Sequence, residues 1–219
     1  MDDAVKRLQR LDCCAVSDAM DKLGLHGTVS GLAQLATTRR IAGRVVTYRL
    51  VPAAEAPPAT GAPRHLGTTA VEACKPGDVI VVEQRTRIDA GSWGGLLSLG
   101  AKVRQVAGVI ADGPVRDVDE ARSLDFPVYG RSATARTARS RVAEAETNGP
   151  ITVGDVRVEP GDYVIADASG VVFIPAAQIE RLLDAAEMIA GREAAMARAL
   201  LAGKPISQVM GADYEHMLR

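Results

Sequence analysis

The chain has 219 residues, 47% of them hydrophobic, and a formal net charge of -1. That is enough apolar content for a core, while the near-neutral charge and 3% aromatic content exclude both a basic field for nucleic acid or anionic membrane and a base-stacking platform. No apolar run approaches the ~20 residues of a membrane span, "MDDAVKRLQRLDCC" is charged where a signal peptide would be apolar, and three cysteines without C-x-x-C spacing give no disulfide framework, so a soluble protein of the reducing cytoplasm is expected.

Residues 3–23 read as two short helices, with Ser17 as an N-cap and Gly24 as a stop. Gly43–Val51, "GRVVTYRLV", is rich in β-branched residues and reads as a strand. Pro52–Arg64 holds four prolines and reads as a surface loop or flap, too short to separate a pair of domains. Residues 65–74 read as helical. Pro76-Gly77 fits the central pair of a type II turn, because glycine accepts the positive φ of the third position. That turn feeds an apolar strand, and the same device recurs in "EPGDYVIAD", Glu159–Asp167.

"GGLLSLGAKVRQVAG" reads as a helix with Leu96, Leu99, Gly100, Val103 and Val106 on one face. "GVIAD" reads as a buried strand that ends in an Asp112-Gly113-Pro114 turn. "RDVDEARSL" reads as a short helix and "FPVYG" as the next strand. Strand–helix–strand–helix–strand implies parallel pairing with right-handed crossovers. The later "ITVGDVRV" and "DYVIADASGVVFIP" read as antiparallel strands, and Gln178–Leu201 as a long helix. The expected class is α/β: one domain over residues 1–219, a mixed sheet with a central parallel βαβ unit and a β-rich half beside it.

The candidate chemistry sits between Gly91 and Glu120. A helix that begins near Gly94 or Gly95 leaves its first N–H groups without internal partners. Those groups and the positive end of the helix favour a carboxylate or phosphate, and glycine lets a ligand approach the backbone. Gly94, Gly95, Leu96 and Leu97 are therefore a candidate anion cradle; a plain glycine turn is the alternative. Arg116, Asp117 and Glu120 open the next helix, at the strand ends where ligands collect in α/β sheets. Asp117 and Glu120 are spaced to share a helix face and suit a hard divalent ion that keeps several waters. Arg116 offers a fork that matches a carboxylate. The alternative is that the acids simply offset the helix dipole. If both helices follow neighbouring parallel strands, their N-termini open on one edge, and a small 2-oxo acid fits between them. A cation at Asp117 would polarise its keto oxygen and offset the charge of a pyruvate enolate.

Other residues read more plainly. His26, His65 and His216 have no metal-type spacing and are assigned structural or surface roles. Trp93 either lines the pocket or packs on a neighbour. "TARTARSR", Thr134–Arg141, reads as a solvated face, with anion binding by its three arginines as the alternative. Cys13-Cys14 reads as buried packing, with no activating histidine near in sequence.

"VSDAMDKLG", "GSWGGLLSLGA", "GVIADGPVRD", "FPVYGR" and "PGDYVIADASGVVFIP" span nearly the whole chain. With them goes a joint spacing: Gly95, twenty residues, Arg116-Asp117, two residues, Glu120. On these motifs the chain resembles the RraA-like family, which contains regulator of ribonuclease E activity A and the 4-hydroxy-4-methyl-2-oxoglutarate aldolases. The resemblance implies an α/β/β domain similar to the swivelling phosphohistidine domain, assembled into trimers or hexamers. It implies a divalent-metal-dependent lyase on 2-oxo acids, a class II aldolase or an oxaloacetate decarboxylase that releases pyruvate. Carried onto this chain, Arg116 would bind pyruvate and the amides of Gly94, Gly95, Leu96 and Leu97 would bind its carboxylate. Asp117 would hold Mg²⁺ or Mn²⁺, largely through water, with Glu120 as the second acid. The regulator branch lacks the acid after the arginine; this chain keeps it, which favours the enzyme over a non-catalytic regulator of ribonuclease E. One departure stands out: aldolases of the family often carry an Asp where this chain has Gly95, which weighs against aldol cleavage and leaves decarboxylation open. Glu193 resembles an acid that, in family members, approaches the metal from a neighbouring subunit.

Overall fold

A computed structural model of the chain describes residues 2–58 and 64–211. His216 and the tip of the Pro52–Arg64 loop lie outside the described residues. The first half contains α1 (Asp3–Leu8), α2 (Cys13–Leu23), β1 (Thr28–Val29), β2 (Ala33–Gln34), β3 (Ile41–Pro52), α3 (Thr68–Ala73), β4 (Val79–Glu83) and α4 (Gly95–Val103). The second contains β5 (Gly108–Val115), α5 (Val118–Ser123), β6 (Val128–Ala133), β7 (Val142–Thr147), β8 (Ile151–Val153), β9 (Val156–Val158), β10 (Tyr163–Asp167), β11 (Gly170–Ile174), α6 (Ile179–Leu201) and α7 (Ile206–Val209). No described helix is long and apolar enough to cross a membrane.

The N-cap of α2 is Asp12, not Ser17: the Asp12 carboxylate accepts from the Ala15 amide at 2.8 Å. Ser17 lies one turn inside the helix, with its hydroxyl against Thr28 at 3.0 Å. Gly24 ends the helix in the left-handed region, φ 65°. Asp12→Ala is expected to cost about 1 kcal/mol, and Ser17→Ala clearly less; urea denaturation of both variants separates the two assignments. Cys13 is buried and Cys14 exposed. Burial pushes the Cys13 thiol far up, and the nearby Asp167 carboxylate adds to the shift, so it packs as an inert group. Cys14 does not fit the expected buried pair.

The two glycine turns are built alike. The Asp78 amide donates to the Lys75 carbonyl at 3.1 Å with Gly77 at φ 89°, and the Asp162 amide donates to the Glu159 carbonyl at 3.1 Å with Gly161 at φ 87°. In each, the closing carboxylate accepts from the first amide, Lys75 N to Asp78 at 2.7 Å and Glu159 N to Asp162 at 2.9 Å. Each turn launches a strand, β4 or β10.

Strands β3, β4, β5 and β6 pair in parallel, the expected central unit. The main sheet runs β1-β11-β10-β3-β4-β5-β6-β2, with β7 on β3, and the β10, β11, β1, β2 and β7 pairings are antiparallel. A single curved sheet thus has both ends facing one interior. Val164, Val171 and Phe173 meet Val81, Ile110 and Tyr129 there, and the β8–β9 hairpin closes the space. On the outside, Tyr163, Ile165, Val172 and Ile174 pack under α1, α2 and α6. Ile80, Val82, Val109 and Ala111 pack against the region of α3 and α4 through Val71, Trp93 and Leu97.

Four further expectations are corrected by the structure. α4 stops at Val103, and Gln105 turns left-handed at φ 61°, so the helix does not reach Gly108. Its broad apolar stripe faces out: Leu96, Leu99 and Val103 are 87%, 45% and 75% exposed, while Leu97, Ser98 and Ala101 are buried. β5 runs on to Val115, and Asp112-Gly113-Pro114 is an irregularity of register within it rather than a turn. β7, an acid-rich strand on β3, has no counterpart among the elements expected from sequence.

Candidate functional site

The glycine loop is laced to the end of β5 by its backbone. Ser92 N donates to Pro114 O at 2.8 Å and Arg116 N to Trp93 O at 3.0 Å. The Ser92 hydroxyl adds a second bond to Pro114 O at 2.7 Å, and the buried Tyr48 hydroxyl donates to Ser92 O at 2.6 Å. Gly91 N donates to Arg136 O at 2.9 Å, which draws the 134–139 segment over the same edge. Trp93 is buried: its ring stacks on Phe126 at 6.4 Å and its indole N–H donates to Ser98 Oγ at 2.8 Å. Ser98 can therefore sit inward because its hydroxyl is satisfied.

This lacing sets Arg116 and Asp117 against the glycines. A Cβ on Gly91 would stand 2.8 Å from Arg116 Cγ, and one on Gly94 would stand 2.8 Å from Asp117 Oδ2. A Cβ on Gly95 would lie 3.2 Å from the Asp117 Cβ and 3.3 Å from the Glu120 Cβ. The missing side chains thus make room for the charged ones. Asp117 accepts from Gly95 N at 3.0 Å through Oδ2 and from Arg116 Nε at 3.1 Å through Oδ1. It is the cap residue of α5 and sits at φ 56°, ψ 41°. Left-handed backbone at a non-glycine costs of order 1 kcal/mol or more, and such residues gather at functional sites.

The result is a cleft of about 140 Å³ lined by Gly94, Gly95, Leu96, Leu97, Arg116 and Asp117, with Gly91, Trp93, His65, Leu66, Thr137 and Ala138 completing the wall. It is well below the ~300–1,000 Å³ of sites for drug-sized ligands, and its scale suits a small acid. Leu96 and Leu97 stand in the first turn of α4, where amides have no intrahelical acceptor. The Arg116–Asp117 bond engages only Nε, and neither terminal guanidinium nitrogen is bonded among the described residues. The side chains of Arg116 and Asp117 are about a third exposed, at 37% and 32%, so the pair is open to solvent from one side.

Glu120 stands outside this lining: it is exposed on α5, with its Cβ beside Gly95. Glu193 lies on α6, where burial and the Asp12 and Asp18 carboxylates hold its carboxyl above the usual range; it is not among the residues of the cleft wall. Among the described residues there is no group of three or more His, Cys, Asp or Glu side chains able to hold a metal. The one carboxylate of the cleft wall among the described residues is therefore Asp117, with Glu120 exposed nearby on α5. That set fits a magnesium-like ion bound by one or two carboxylates and otherwise by water, and does not fit a zinc-like cage.

Two further lining residues are exposed, as expected of them. His65, expected in a structural or surface role, stands at the mouth of the cleft. Thr137 belongs to "TARTARSR", expected as a solvated face. Both are far in sequence from Gly95 and Arg116: the Gly91 N–Arg136 O and Thr134 N–Val115 O bonds, at 2.9 and 2.8 Å, bring Thr137 in, and the approach to α3 brings His65.

A mixed α/β sheet with a glycine loop, a helix start and an Arg-Asp pair around a small cleft at its parallel strand ends is the architecture of one fold family. Residues 13–173 match the RraA-like family, described as Aldolase/RraA; the chain belongs to this family. A Halalkalibacterium halodurans relative named "Putative 4-hydroxy-4-methyl-2-oxoglutarate aldolase" is 31% identical over 201 residues, 90% of this chain and 89% of that one. Protein DlpA of Legionella pneumophila is 26% identical over 95% of this chain, which spans only 33% of that protein's length. Among solved structures, Streptomyces coelicolor RraAS2, described as an unusual member of the RNase ES inhibitor RraA protein family, superposes with a TM-score of 0.73 at 25% identity, covering 85% of this chain and 91% of that one. An uncharacterized protein from Pseudomonas syringae shares the fold, with a TM-score of 0.84 at 23% identity over 95% of this chain and 96% of that one.

Proposed function

We propose that the protein is a divalent-metal-dependent lyase that releases pyruvate from a small 2-oxo acid, with oxaloacetate decarboxylation favoured over aldol cleavage. The observation that carries this reading is the Asp117 carboxylate, held between Gly95 N and Arg116 Nε at the wall of a cleft of small-acid size. Asp117, with Glu120 beside it, would hold Mg²⁺ or Mn²⁺, and such an ion supplies electrostatic stabilisation to an oxygen that gains negative charge. The terminal nitrogens of Arg116 and the amides of Leu96 and Leu97 grip the substrate carboxylate and fix its orientation. In decarboxylation the C3–C4 bonding pair passes to C3 as CO₂ leaves, and the resulting pyruvate enolate takes a proton at C3. Aldol cleavage also needs a base for the C4 hydroxyl. The titratable acid–base groups of the lining are His65 and Asp117, and Asp117 is given to the cation in this reading. The tight approach of Gly95 to Asp117 and Glu120 leaves little room for a further acid at that position.

The test couples pyruvate release from oxaloacetate to lactate dehydrogenase, with Mg²⁺ or Mn²⁺ and then with EDTA. A rate above the metal-only blank that EDTA abolishes is the expected result; no such rate with any divalent ion sinks the proposal. A second reading, a regulator of an RNA-processing enzyme, is favoured by the likeness to RraAS2. It predicts ribonuclease binding that is indifferent to EDTA and to loss of Asp117.

In this reading the working form is a homo-oligomer, a trimer or hexamer. A second copy covers Leu96, Leu99 and Val103, whose exposure beside the cleft is otherwise costly, and Glu193 approaches the site of a neighbour rather than its own. Leu99→Glu with Val103→Glu should convert the assembly to monomers in light scattering while the far-ultraviolet dichroism stays unchanged.

A further inference from the structure

His65 stands where two cavities meet. It lines the small cleft, and with Leu66, Thr137 and Ala138 it also lines a groove of about 870 Å³ that runs along β7. These four residues are the wall the two cavities share. His65 is exposed, so it borders the cleft and can still trade protons with water.

Although it lies on a loop, its segment is fixed. The His65 carbonyl accepts from the Thr68 hydroxyl at 2.7 Å and from the Thr68 amide at 3.3 Å. Two residues on, Gly67 N donates to Glu144 at 2.6 Å. Gly67 is seated against the first turn of α4: a Cβ there would stand 3.2 Å from Leu97 Cδ1 and 3.3 Å from the Tyr48 hydroxyl oxygen. The loop that carries His65 therefore packs on the same helical turn whose amides face a substrate carboxylate in the lyase reading.

The imidazole has a defined working nitrogen. Its Nδ1 lies 2.9 Å from Leu66 O. A carbonyl oxygen only accepts, so Nδ1 carries the hydrogen and Nε2 is the position at which a proton comes and goes. The rest of the wall lacks such a group. Arginine does not release its proton, and Asp117 is given to the cation. The Trp93 N–H is buried and bonded to Ser98 at 2.8 Å. The Thr137 hydroxyl accepts from Arg139 N at 3.3 Å and does not ionise near neutral pH. Histidine is the side chain suited to reversible proton transfer there.

We infer that His65 is a catalytic acid–base residue, which delivers through Nε2 the proton that turns the pyruvate enolate into pyruvate. The inference rests on the lyase reading and adds to it the source of the C3 proton. After CO₂ has left, the Nε2–H proton passes to C3 and the C3 electron pair forms the new C–H bond. The enolate oxygen returns to a keto group, and the neutral imidazole takes a proton from water on the groove side. The Nδ1–H bond to Leu66 O persists throughout and keeps the ring oriented. In reverse, neutral Nε2 removes a methyl proton from pyruvate.

That reversal supplies the test. The full chain is incubated with Mg²⁺ and pyruvate in D₂O, and loss of the methyl proton signal is followed by NMR; oxaloacetate consumption is measured in parallel. The parent should exchange the methyl protons, and His65→Gln should exchange them at least tenfold more slowly. Oxaloacetate consumption should fall much less in that variant, because cleavage of C3–C4 needs no proton from His65. Added imidazole should restore exchange to His65→Ala. The side chain is exposed, so both variants should keep the parent's melting temperature. Undiminished exchange in His65→Gln overturns the assignment and leaves the lyase reading standing, as does a parent that releases pyruvate from oxaloacetate without exchanging it. An equal fall in exchange and consumption, without rescue by imidazole, makes His65 a structural wall residue and also overturns it. A parent that shows neither pyruvate release nor exchange sinks both readings together.

Discussion

Asp117→Asn and Arg116→Ala should each lower metal-dependent pyruvate release from oxaloacetate by at least about 10²-fold, the usual cost of deleting one group aimed at developing charge. Asn is the sharper replacement at position 117 because it tolerates the left-handed backbone found there, φ 56°. It also keeps an acceptor for Gly95 N, so the fold is left alone while the negative charge is removed. Arg116→Ala takes away the carboxylate fork, and its loss should appear in kcat/KM at every metal concentration. The Asp117→Asn defect should instead ease as Mn²⁺ is raised, because that variant weakens metal capture first. Parent-like kinetics for either variant would remove the site from consideration, whatever the parent's activity.

The same residues show what can be read in a sequence and what cannot. The two proline-glycine turns are legible because φ near 90° at Gly77 and Gly161 is a local requirement. The parallel unit is legible because apolar strands alternate with helical segments. The likeness of Gly95, Arg116 and Asp117 to a family pattern is legible because that pattern is a spacing. The rotation of α4 is not. Its largest apolar side chains form the stripe that periodicity selects, yet the helix start is pinned by Asp117 on Gly95 N and by Trp93 on Ser98. These bonds turn Leu97, Ser98 and Ala101 inward and leave Leu96, Leu99 and Val103 outside. A buried serine is chosen over an exposed leucine only because a distant indole meets it. β7 is hidden for a related reason. Glu144 and Glu146 suggest a solvated stretch, but Glu144 accepts from Gly67 N at 2.6 Å and so fastens the approach to α3. His65 reaches the cleft mouth along that approach, a long-range contact that no local motif announces.

Asp112→Ala should destabilise the chain by about 3 kcal/mol, more than the other substitutions considered for the fold. Asp112 ends the regular stretch of β5, and its two oxygens join β6 through Arg131 Nε and the β8–β9 turn through Gly154 N. Arg131 in turn reaches Ser30 O at 2.7 Å, so one carboxylate coordinates four segments. Removing one partner of a buried pair costs about 3–5 kcal/mol because the other charge is left uncompensated. Arg131 is 33% exposed and can swing toward solvent, which places the value at the low end. The orphaned Gly154 N–H adds to the loss. Asp112→Asn retains an acceptor for Gly154 and some of the contact with Arg131, and should lose about half as much. The measurement is urea unfolding of the three proteins at neutral pH, compared by midpoint at equal slope. A loss below about 1 kcal/mol for Asp112→Ala would mean that the hydrophobic interior alone holds the hairpin against the sheet, and that the buried pair adds nothing to it.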